Sequence, residues 1–352
     1  MAGGLGSRFW PVAGDDSPKQ FIDIMGAGST MLQLTFARMA AVCRRENIII
    51  VTGEQYVDRV RQQVPGLALY QVLGEPLRRN TAPCIAYAAA IIERLDPQAT
   101  IIVAPSDHAI FNQEQFRADL MQAVATAASH DWIVTIGAQP VRPDTSYGYI
   151  QFDDAPSLPD APNLHKAVTF TEKPPIELAR QFIASGEFFW NAGLLVWSIG
   201  TLRRAYREHL PSLSESFAGL QLGTPRSELE RIYSQCEAVS VDNGIMEKAT
   251  NVHVLAAGFG WSDVETWESL HDAVPRDRDG NASIGGNVFT YDTRNTLVVM
   301  SDDPKKTVVL EGLDGYIVAA SDDTLLICRR KNEEQIFRFA NDVELKRLID
   351  KK

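Results

Sequence analysis

Three glycines and two cations lie close together at the start of the sequence, in "AGGLGSRFWP" followed by "SPKQF". Glycine has no Cβ, so main-chain N–H groups at Gly3, Gly4 and Gly6 can approach an anion closely. Arg8 supplies a permanent charge with forked donors, and Lys19 supplies a second cation. The pattern suits a polyphosphate, although its spacing matches neither a P-loop nor a dinucleotide fingerprint. The alternative is a Gly-rich turn that binds nothing.

Further along the chain, several polar residues and one glycine stand out by their positions. Asp107 lies at the end of the apolar run "TIIVAPSDH" (100–108), where a lone carboxylate is conspicuous and where its simplest role is to cap the next turn. Glu172 and Lys173 in "FTEKP" form either a surface ion pair or a pair held at a rim by the following prolines. Asn191 offers donors and acceptors to a hydroxyl, and Gly148 leaves room for a ligand beside the main chain.

Strands and helices that would position these residues alternate over the first part of the chain. Apolar β-rich runs predict strands over 47–53, 100–108 and 131–138, and apolar residues at helical spacing predict helices over 30–43, 82–95 and 116–129. Such alternation predicts a parallel sheet with helices on both faces. Ligands of these sheets bind outside the carboxyl ends of the strands, which is where Asp107 falls.

The pattern of residues along the sequence changes near residue 275. Short β-runs follow, separated by Asp, Gly and Asn at intervals of about ten residues, and their regularity suggests stacked β-helix coils. We therefore predict two domains, 1–274 and a small β-rich domain over 275–352, with a closing helix at about 341–350.

Composition excludes several classes of function. The net charge of -11 argues against nucleic-acid binding, although a few local cations can still dominate one pocket. The apolar run "IAYAAAII" (85–92) is too short to span a bilayer, and no secretory signal is recognisable. The four cysteines are scattered without zinc-ligand spacing, as expected for reduced thiols in a cytoplasmic protein.

The order of motifs along the chain resembles that of the sugar-nucleotide pyrophosphorylases, and in particular the mannose-1-phosphate guanylyltransferases. The motifs that carry the resemblance are "AGGLGSRFWP", "PKQF", "GEPLRRNTAPCIA", "APSDH", "YGYI", "FTEKP", "NAGLLVW", "VDNGIMEK" and "GWSDVETW". The resemblance implies an α/β fold with a Rossmann-like, mixed, mostly parallel sheet of the nucleotide-diphospho-sugar transferase type. It also implies that 1–274 is the catalytic domain and that 275–352 resembles a left-handed β-helix.

The implied reaction transfers GMP from GTP to mannose 1-phosphate and gives GDP-mannose and pyrophosphate, by in-line, Mg²⁺-assisted attack on the α-phosphate. The residues that the resemblance assigns to catalysis are Arg8, Lys19 and Lys173. Those assigned to the nucleotide are Ala2, Gly3, Gly4, Gly6, Asn80, Thr81, Pro83 and Asp107. Those assigned to the sugar are Gly148, Glu172, Asn191 and Asp242, and those assigned to the metal are Asp107 and Asp263.

The sequence departs from the family pattern at two places. Glu265 stands where relatives commonly have glycine, and we expect it either to point away or to alter sugar or metal affinity. Relatives also carry a hydrophobic strand before "AGG", so we expect either an incomplete start or another segment in that slot. Two other functions stay open: nucleotidyl transfer with another sugar 1-phosphate or NTP, and a non-catalytic regulatory paralogue. The β-rich tail is compatible with a homodimer and equally with a cap that never dimerises.

Overall fold

The structure is a computed structural model that describes residues 1–4, 7–14, 16–300, 306–321 and 323–350, and only the main chain of Ser7. Gly6, one of the predicted nucleotide ligands, lies outside the described residues. The helices are α1 Met31–Ala40, α2 Val57–Gln63, α3 Thr81–Leu95, α4 Gln113–Ser129, α5 Ile176–Ser185, α6 Ile199–His209, α7 Pro211–Phe217, α8 Arg226–Gln235, α9 Trp267–Ala273 and α10 Ile336–Asp350. None of the helices within the described residues combines the length and the hydropathy needed to cross a bilayer.

The strands follow the predicted alternation in the first part of the chain and dominate the last part. They are β1 Ile50–Gly53, β2 Val72–Glu75, β3 Thr100–Val103, β4 Ala109–Ile110, β5 Ile133–Ala138, β6 Gly148–Leu158, β7 Ala161–Glu172, β8 Phe188–Ser198, β9 Val252–Ala256, β10 Trp261–Ser262, β11 Ala282–Ile284, β12 Asn287–Tyr291, β13 Leu297–Val299, β14 Thr307–Glu311, β15 Tyr316–Ala320 and β16 Leu325–Arg329. The three predicted strands and three predicted helices are confirmed as β1, β3, β5, α1, α3 and α4. The closing helix is confirmed but begins earlier, at Ile336.

Contacts between residues divide the chain into two compact units. The first unit contains Met1–Gly3, Phe36–Pro105 and Ile110–Trp261, and the second contains Gly4–Thr35, Ser106–Ala109 and Ser262–Lys352. Each unit therefore draws on stretches that are far apart in the sequence. The domain boundary at 274/275 stays a prediction.

The first unit is built on a six-stranded sheet in the order β3-β8-β5-β9-β7-β6, with an additional pairing between β8 and β6. Strands β5 and β9 pair in parallel, as do β1 and β2 in a separate pair, whereas the other neighbours of the larger sheet run antiparallel. Trp197 and Tyr233 are fully buried in the main core of this unit, between the sheet and α3, α6 and α8. The long β6–β7 hairpin places Gly148 directly opposite Glu172.

The first residues of the chain lie against β1 and the end of β3. The Met1 amino group donates to the main-chain oxygen of Ala104 at 2.7 Å. Ala2 is buried and pairs in parallel with Thr52, whose hydroxyl donates to the Ala2 oxygen at 2.8 Å. Hydrogen bonds on both sides therefore fix the main chain immediately before Gly3.

The second unit stacks short strands of the C-terminal segment in parallel. Strands β11, β13 and β15 form one stack and β12 and β14 another, while β16 pairs antiparallel with β15. Phe9 packs edge-to-face on Trp267 in the core of this unit, with ring centroids 5.1 Å apart. The predicted β-rich character of the C-terminal segment is thus confirmed, whereas its extent as a domain over 275–352 and the handedness of its stack stay predictions.

Candidate active site

Lys19 is the centre of a polar cluster in the second unit. It is 4% exposed, and its ammonium lies 3.1 Å from Oδ2 of Asp107. The same nitrogen donates to the main-chain oxygens of Asp263, at 2.7 Å, and Val264, at 3.0 Å. An ammonium has three hydrogens, so all its donors are directed at protein oxygens. Lys19 thereby contacts the carboxylate of Asp107 and the main chain of Asp263, the two aspartates that the resemblance assigns to one metal ion.

The charge of Lys19 changes the protonation of its carboxylate partner. Burial on its own would raise the pKa of Asp107, but the charge and hydrogen bond of Lys19, together with the charge of His108, hold that pKa below its usual value. Asp107 is therefore a carboxylate at neutral pH. The neighbouring Asp263 accepts a hydrogen bond on Oδ1 from the main-chain N–H of Glu265, at 3.1 Å.

Arg8, the second predicted phosphate-binding cation, is held differently. Its side chain is 53% exposed, and Nη1 lies 3.2 Å from Oε2 of Glu265, which is itself 37% exposed. Glu265 therefore does not point away from the cluster. The sequence marked Glu265 as a departure from the family pattern but did not predict the ion pair, because the two residues are far apart in the chain.

The glycine turn is described at Gly3 and Gly4. A Cβ added at Gly3 would meet nothing within 4 Å, and one added at Gly4 would lie 3.8 Å from Oδ2 of Asp107. Gln20, which sequence reasoning did not single out, donates from Nε2 to the Gly4 oxygen at 3.0 Å. Its position next to Lys19 in "PKQF" is the signal that would have found it. The phosphate-binding roles of Ala2, Gly3 and Gly4 stay predictions.

The predicted sugar-binding residues come together in the first unit. A Cβ on Gly148 would lie 2.5 Å from Oε2 of Glu172 and 3.4 Å from Cβ of Asn191. Asn191 donates from Nδ2 to Oδ1 of Asp242 at 2.8 Å, and its Oδ1 accepts from the N–H of Gly193 at 3.0 Å. Burial raises the pKa of Asp242, even though the Asn191 hydrogen bond acts in the opposite direction. Both ends of the Asn191 amide are thus oriented by the protein.

Lys173 stands next to this group in a constrained main-chain conformation. Its φ of 48° lies in the left-handed region, and its N–H donates to the Tyr147 oxygen at 3.2 Å. Its ammonium lies 3.9 Å from Oε1 of Glu172, and the side chain is half-exposed. The left-handed turn therefore places the opposite charges of Glu172 and Lys173 next to each other at the end of β7.

The predicted base-reading residues lie at the start of α3. Asn80 has a φ of 71°, and its Oδ1 accepts from the Thr81 N–H at 2.9 Å, which caps the helix. The Thr81 hydroxyl accepts from the N–H of Val241 at 2.8 Å. Pro83 is buried in the first turn, where a missing N–H costs nothing. These contacts leave the side-chain amide nitrogen of Asn80 for a ligand, and base recognition stays a prediction.

A family model described as "Nucleotidyl transferase" matches residues 1–280. The chain belongs to the nucleotidyl transferase family. The predicted resemblance and the predicted α/β fold class of the nucleotide-diphospho-sugar transferase type are thereby confirmed. The six-stranded sheet is mixed, as predicted, but among its described neighbours the parallel pair is β5 and β9, and the other pairs run antiparallel, as in the β6–β7 hairpin.

Named relatives of this nucleotidyl transferase extend the match over almost the whole chain. It is 31% identical over 344 residues to a mannose-1-phosphate guanylyltransferase of Sinorhizobium fredii, covering 96% of this chain and 65% of the relative. It is 32% identical over 354 residues to the mannose-1-phosphate guanylyltransferase ManC of Salmonella typhimurium, covering 98% of this chain and 72% of the relative. The chain thus spans about two thirds of the length of these relatives.

A solved structure shares the fold. The crystal structure of a mannose-1-phosphate geranyltransferase from Thermus thermophilus superposes with a TM-score of 0.87 at 29% identity, covering 98% of both chains. The structure of this nucleotidyl transferase therefore follows a known architecture from end to end, including the β-rich C-terminal segment.

Proposed function

We propose that the chain transfers GMP from GTP to mannose 1-phosphate, giving GDP-mannose and pyrophosphate. Family membership supports nucleotidyl transfer to a sugar phosphate, and the names of the relatives favour this pair of substrates. The observation that carries the proposal is the contact of the Lys19 ammonium with the Asp107 carboxylate and with the Asp263 main chain, because it assembles these residues from three distant segments. A homodimer and a cytoplasmic location stay predictions.

The chemical step is an in-line displacement at phosphorus. An oxygen of mannose 1-phosphate forms a bond to the α-phosphorus, the bond from that phosphorus to the bridging oxygen breaks, and pyrophosphate leaves with the electron pair. Such transfers depend on positioning and on neutralising charge. Arg8, half-exposed and with a planar fork of donors, would bind the β- and γ-phosphates. Lys19 would add its charge from a fixed position and orient the carboxylates.

The two aspartates suit a magnesium ion. Mg²⁺ is usually bound by one or two carboxylates and completed by phosphate oxygens and waters. Asp107, which is a carboxylate at neutral pH, and Asp263 would supply the two carboxylates of such an open arrangement. When bound, the ion would neutralise charge on the reacting phosphates. Lys19 would hold the Asp107 carboxylate and the main chain of Asp263 in place for it.

In the first unit, the residues around Gly148 would bind the sugar phosphate. Glu172 would accept hydrogen bonds from sugar hydroxyls over Gly148, whose missing Cβ leaves the space that the carboxylate occupies. Asn191 would contact the ring with an amide that Asp242 and Gly193 already orient. Lys173 would bind the incoming phosphate, and Asn80 and Thr81 would read the guanine edge.

Pyrophosphate release tests the proposal across the four common NTPs and several sugar 1-phosphates. We expect GTP with mannose 1-phosphate to be the preferred pair. A preference for UTP or dTTP would contradict the guanine assignment and favour another sugar nucleotide. Absence of turnover with every pair would favour the regulatory paralogue.

Substitution of the aspartates tests the metal assignment. Asp107→Asn and Asp263→Asn should each lower magnesium-dependent turnover on the order of a hundredfold or more, as the loss of one preorganised electrostatic contact does elsewhere. Asp160→Asn is the matched control, because Asp160 is exposed in the turn between β6 and β7. Circular dichroism would establish that the variants are folded. Near-normal turnover in either of the first two would contradict the metal assignment.

A further inference from the structure

Glu265 is the anion that Arg8 binds in this structure. Its carboxylate lies 3.2 Å from Nη1 of Arg8, and its main chain is fixed by the hydrogen bond from its N–H to Asp263 Oδ1. The preceding residues are anchored in turn, since Lys19 donates to the main-chain oxygens of Asp263 and Val264. Val264 has a φ of 46°, an unusual value for a β-branched residue. A constrained turn thus delivers the Glu265 carboxylate to Arg8.

A guanidinium binds carboxylates and phosphates through the same planar fork of N–H donors. Resting on the proposed function, in which Arg8 binds the β- and γ-phosphates, we infer that Glu265 sets polyphosphate affinity by competing for Arg8. A phosphate must displace the Glu265 carboxylate before it can accept hydrogen bonds from all the guanidinium donors that Arg8 offers. The displaced carboxylate then stays nearby as a like charge. Both effects weaken polyphosphate binding and favour release of pyrophosphate.

The size of the effect follows from the exposure of the pair. Exposed ion pairs contribute about 0.2–1 kcal/mol, which corresponds to about 1.4- to 5-fold in an equilibrium constant. Glu265→Gln removes the charge and keeps the length of the side chain. It should therefore bind inorganic pyrophosphate about two- to fivefold more tightly than the wild type at low ionic strength. The gain should shrink at high salt, because mobile ions screen charges at this exposure.

Isothermal titration calorimetry of the full chain with inorganic pyrophosphate tests this inference. Glu311→Gln is the matched control, because it removes one negative charge from an exposed position of the same unit, at the end of β14. Its pyrophosphate affinity should equal that of the wild type. Arg8→Gln should weaken binding, and adding Glu265→Gln to Arg8→Gln should restore much less affinity than it adds to the wild type. That non-additivity separates competition for Arg8 from a general change of charge.

Several outcomes would overturn the inference. They are an unchanged affinity in Glu265→Gln, an equal gain in Glu311→Gln, a full gain in the Arg8→Gln background, and pyrophosphate binding too weak to detect in all variants. Failure of the proposed function has a different signature. A chain that prefers UTP loses the GTP assignment but retains the Glu265 effect, since pyrophosphate is the leaving group from every NTP.

Discussion

Lys19 and Arg8 were predicted for the same task, but the protein holds them in opposite ways. Lys19 is buried with its three donors on protein oxygens, whereas Arg8 is half-exposed and bound to one exposed carboxylate. A buried cation whose partner is largely withdrawn from water cannot be removed without leaving that partner uncompensated. We conclude that Lys19 stabilises the fold as well as the candidate site, and that Arg8 contributes little to the stability of the fold.

The contrast predicts different stabilities for two matched variants. Lys19→Met should lower the free energy of unfolding by roughly 1–3 kcal/mol at neutral pH, because Asp107 and two carbonyls lose their donor. Arg8→Met should lower it by less than about 1 kcal/mol. Urea denaturation of both variants and the wild type measures the difference. Equal losses would contradict the structural role of Lys19.

The same pair predicts a pH dependence on the acid side. Lys19 holds the folded-state pKa of Asp107 below its usual value, so the contribution of the pair is complete above that usual value and is lost as pH falls through the folded pKa. The stability difference between wild type and Lys19→Met should therefore shrink below a pH of about 4. Denaturation at a series of pH values checks the sign.

Gly148 predicts a selective effect on the sugar substrate. In Gly148→Ala the new Cβ would lie 2.5 Å from Oε2 of Glu172, so the carboxylate must move away from the position it now occupies. If Glu172 binds the sugar, KM for mannose 1-phosphate should rise about tenfold, as for loss of a hydrogen bond to a charged group, while KM for GTP stays unchanged. Gly219→Ala is the control, because an added Cβ there meets nothing within 4 Å. A rise in KM for GTP alone would contradict the assignment.

At the scale of elements, Glu75 links the end of β2 to two helices of the first unit. The Tyr233 hydroxyl, on α8, donates to Oε1 of Glu75 at 3.1 Å, and Cys84 lies beside it on α3. Burial raises the pKa of Glu75 to about 7, although the hydrogen bond from Tyr233 acts in the opposite direction. The folded state therefore retains a proton that the unfolded chain releases near pH 4.5.

Glu75→Gln tests this link between elements. Because the folded-state pKa is raised, the wild type loses stability as pH rises from about 4.5 to about 7, and the neutral glutamine does not. The variant should be more stable than the wild type by roughly 1–3 kcal/mol at pH 8.5 and no more stable at pH 4.5. Urea denaturation at both values measures it, with exposed Glu237→Gln as the control. A variant less stable than wild type at pH 8.5 would contradict the sign.

The sequence predicted elements where apolar periodicity was local, and missed features that arise from distant pairing. Helix α3 was predicted over 82–95 and spans Thr81–Leu95, because its apolar positions recur at helical spacing. The hairpin of β6 and β7 was not predicted, since its polar, proline-containing tip "DDAPSLPDAP" has no strand alternation. The register of that hairpin brings Glu172 onto Gly148. Resemblance named these two residues, but local sequence patterns contain no information about their contact.

At the scale of the whole molecule, the units are assembled from separate stretches of chain. The N-terminal segment with Arg8 and Lys19 groups with Ser106–Ala109 and with the chain from Ser262 onwards. Texture along the sequence placed a boundary near 275, because composition changes there. The pattern of residues along the sequence contains no information that Phe9 packs on Trp267 or that Lys19 binds Asp263. Long-range packing therefore decides which residues share a unit.

The net charge of the whole molecule has the opposite sign to the charge of the cations in its candidate site. The chain has a net charge of -11, yet the proposed substrates are anions. The cations that we propose for them are Lys19, Arg8 and Lys173, and each has a carboxylate within 4 Å. In the proposed function, local charged pairs rather than overall charge would determine which anions bind, and the recognition of one nucleotide among four would depend on hydrogen bonds to its base.

Base recognition can be measured as the increase in thermal stability of the whole chain when a nucleotide binds. A ligand that binds only the folded state adds about 2.7 kcal/mol at a concentration a hundred times its Kd. For a chain of this size we expect GTP with magnesium to raise Tm by a few degrees. UTP and dTTP at the same concentration should raise it less, because the polar groups of the base site would be left unpaired. Asn80→Ala should reduce the GTP shift toward the UTP value. Equal shifts for all nucleotides would show that the chain binds the triphosphate without reading the base.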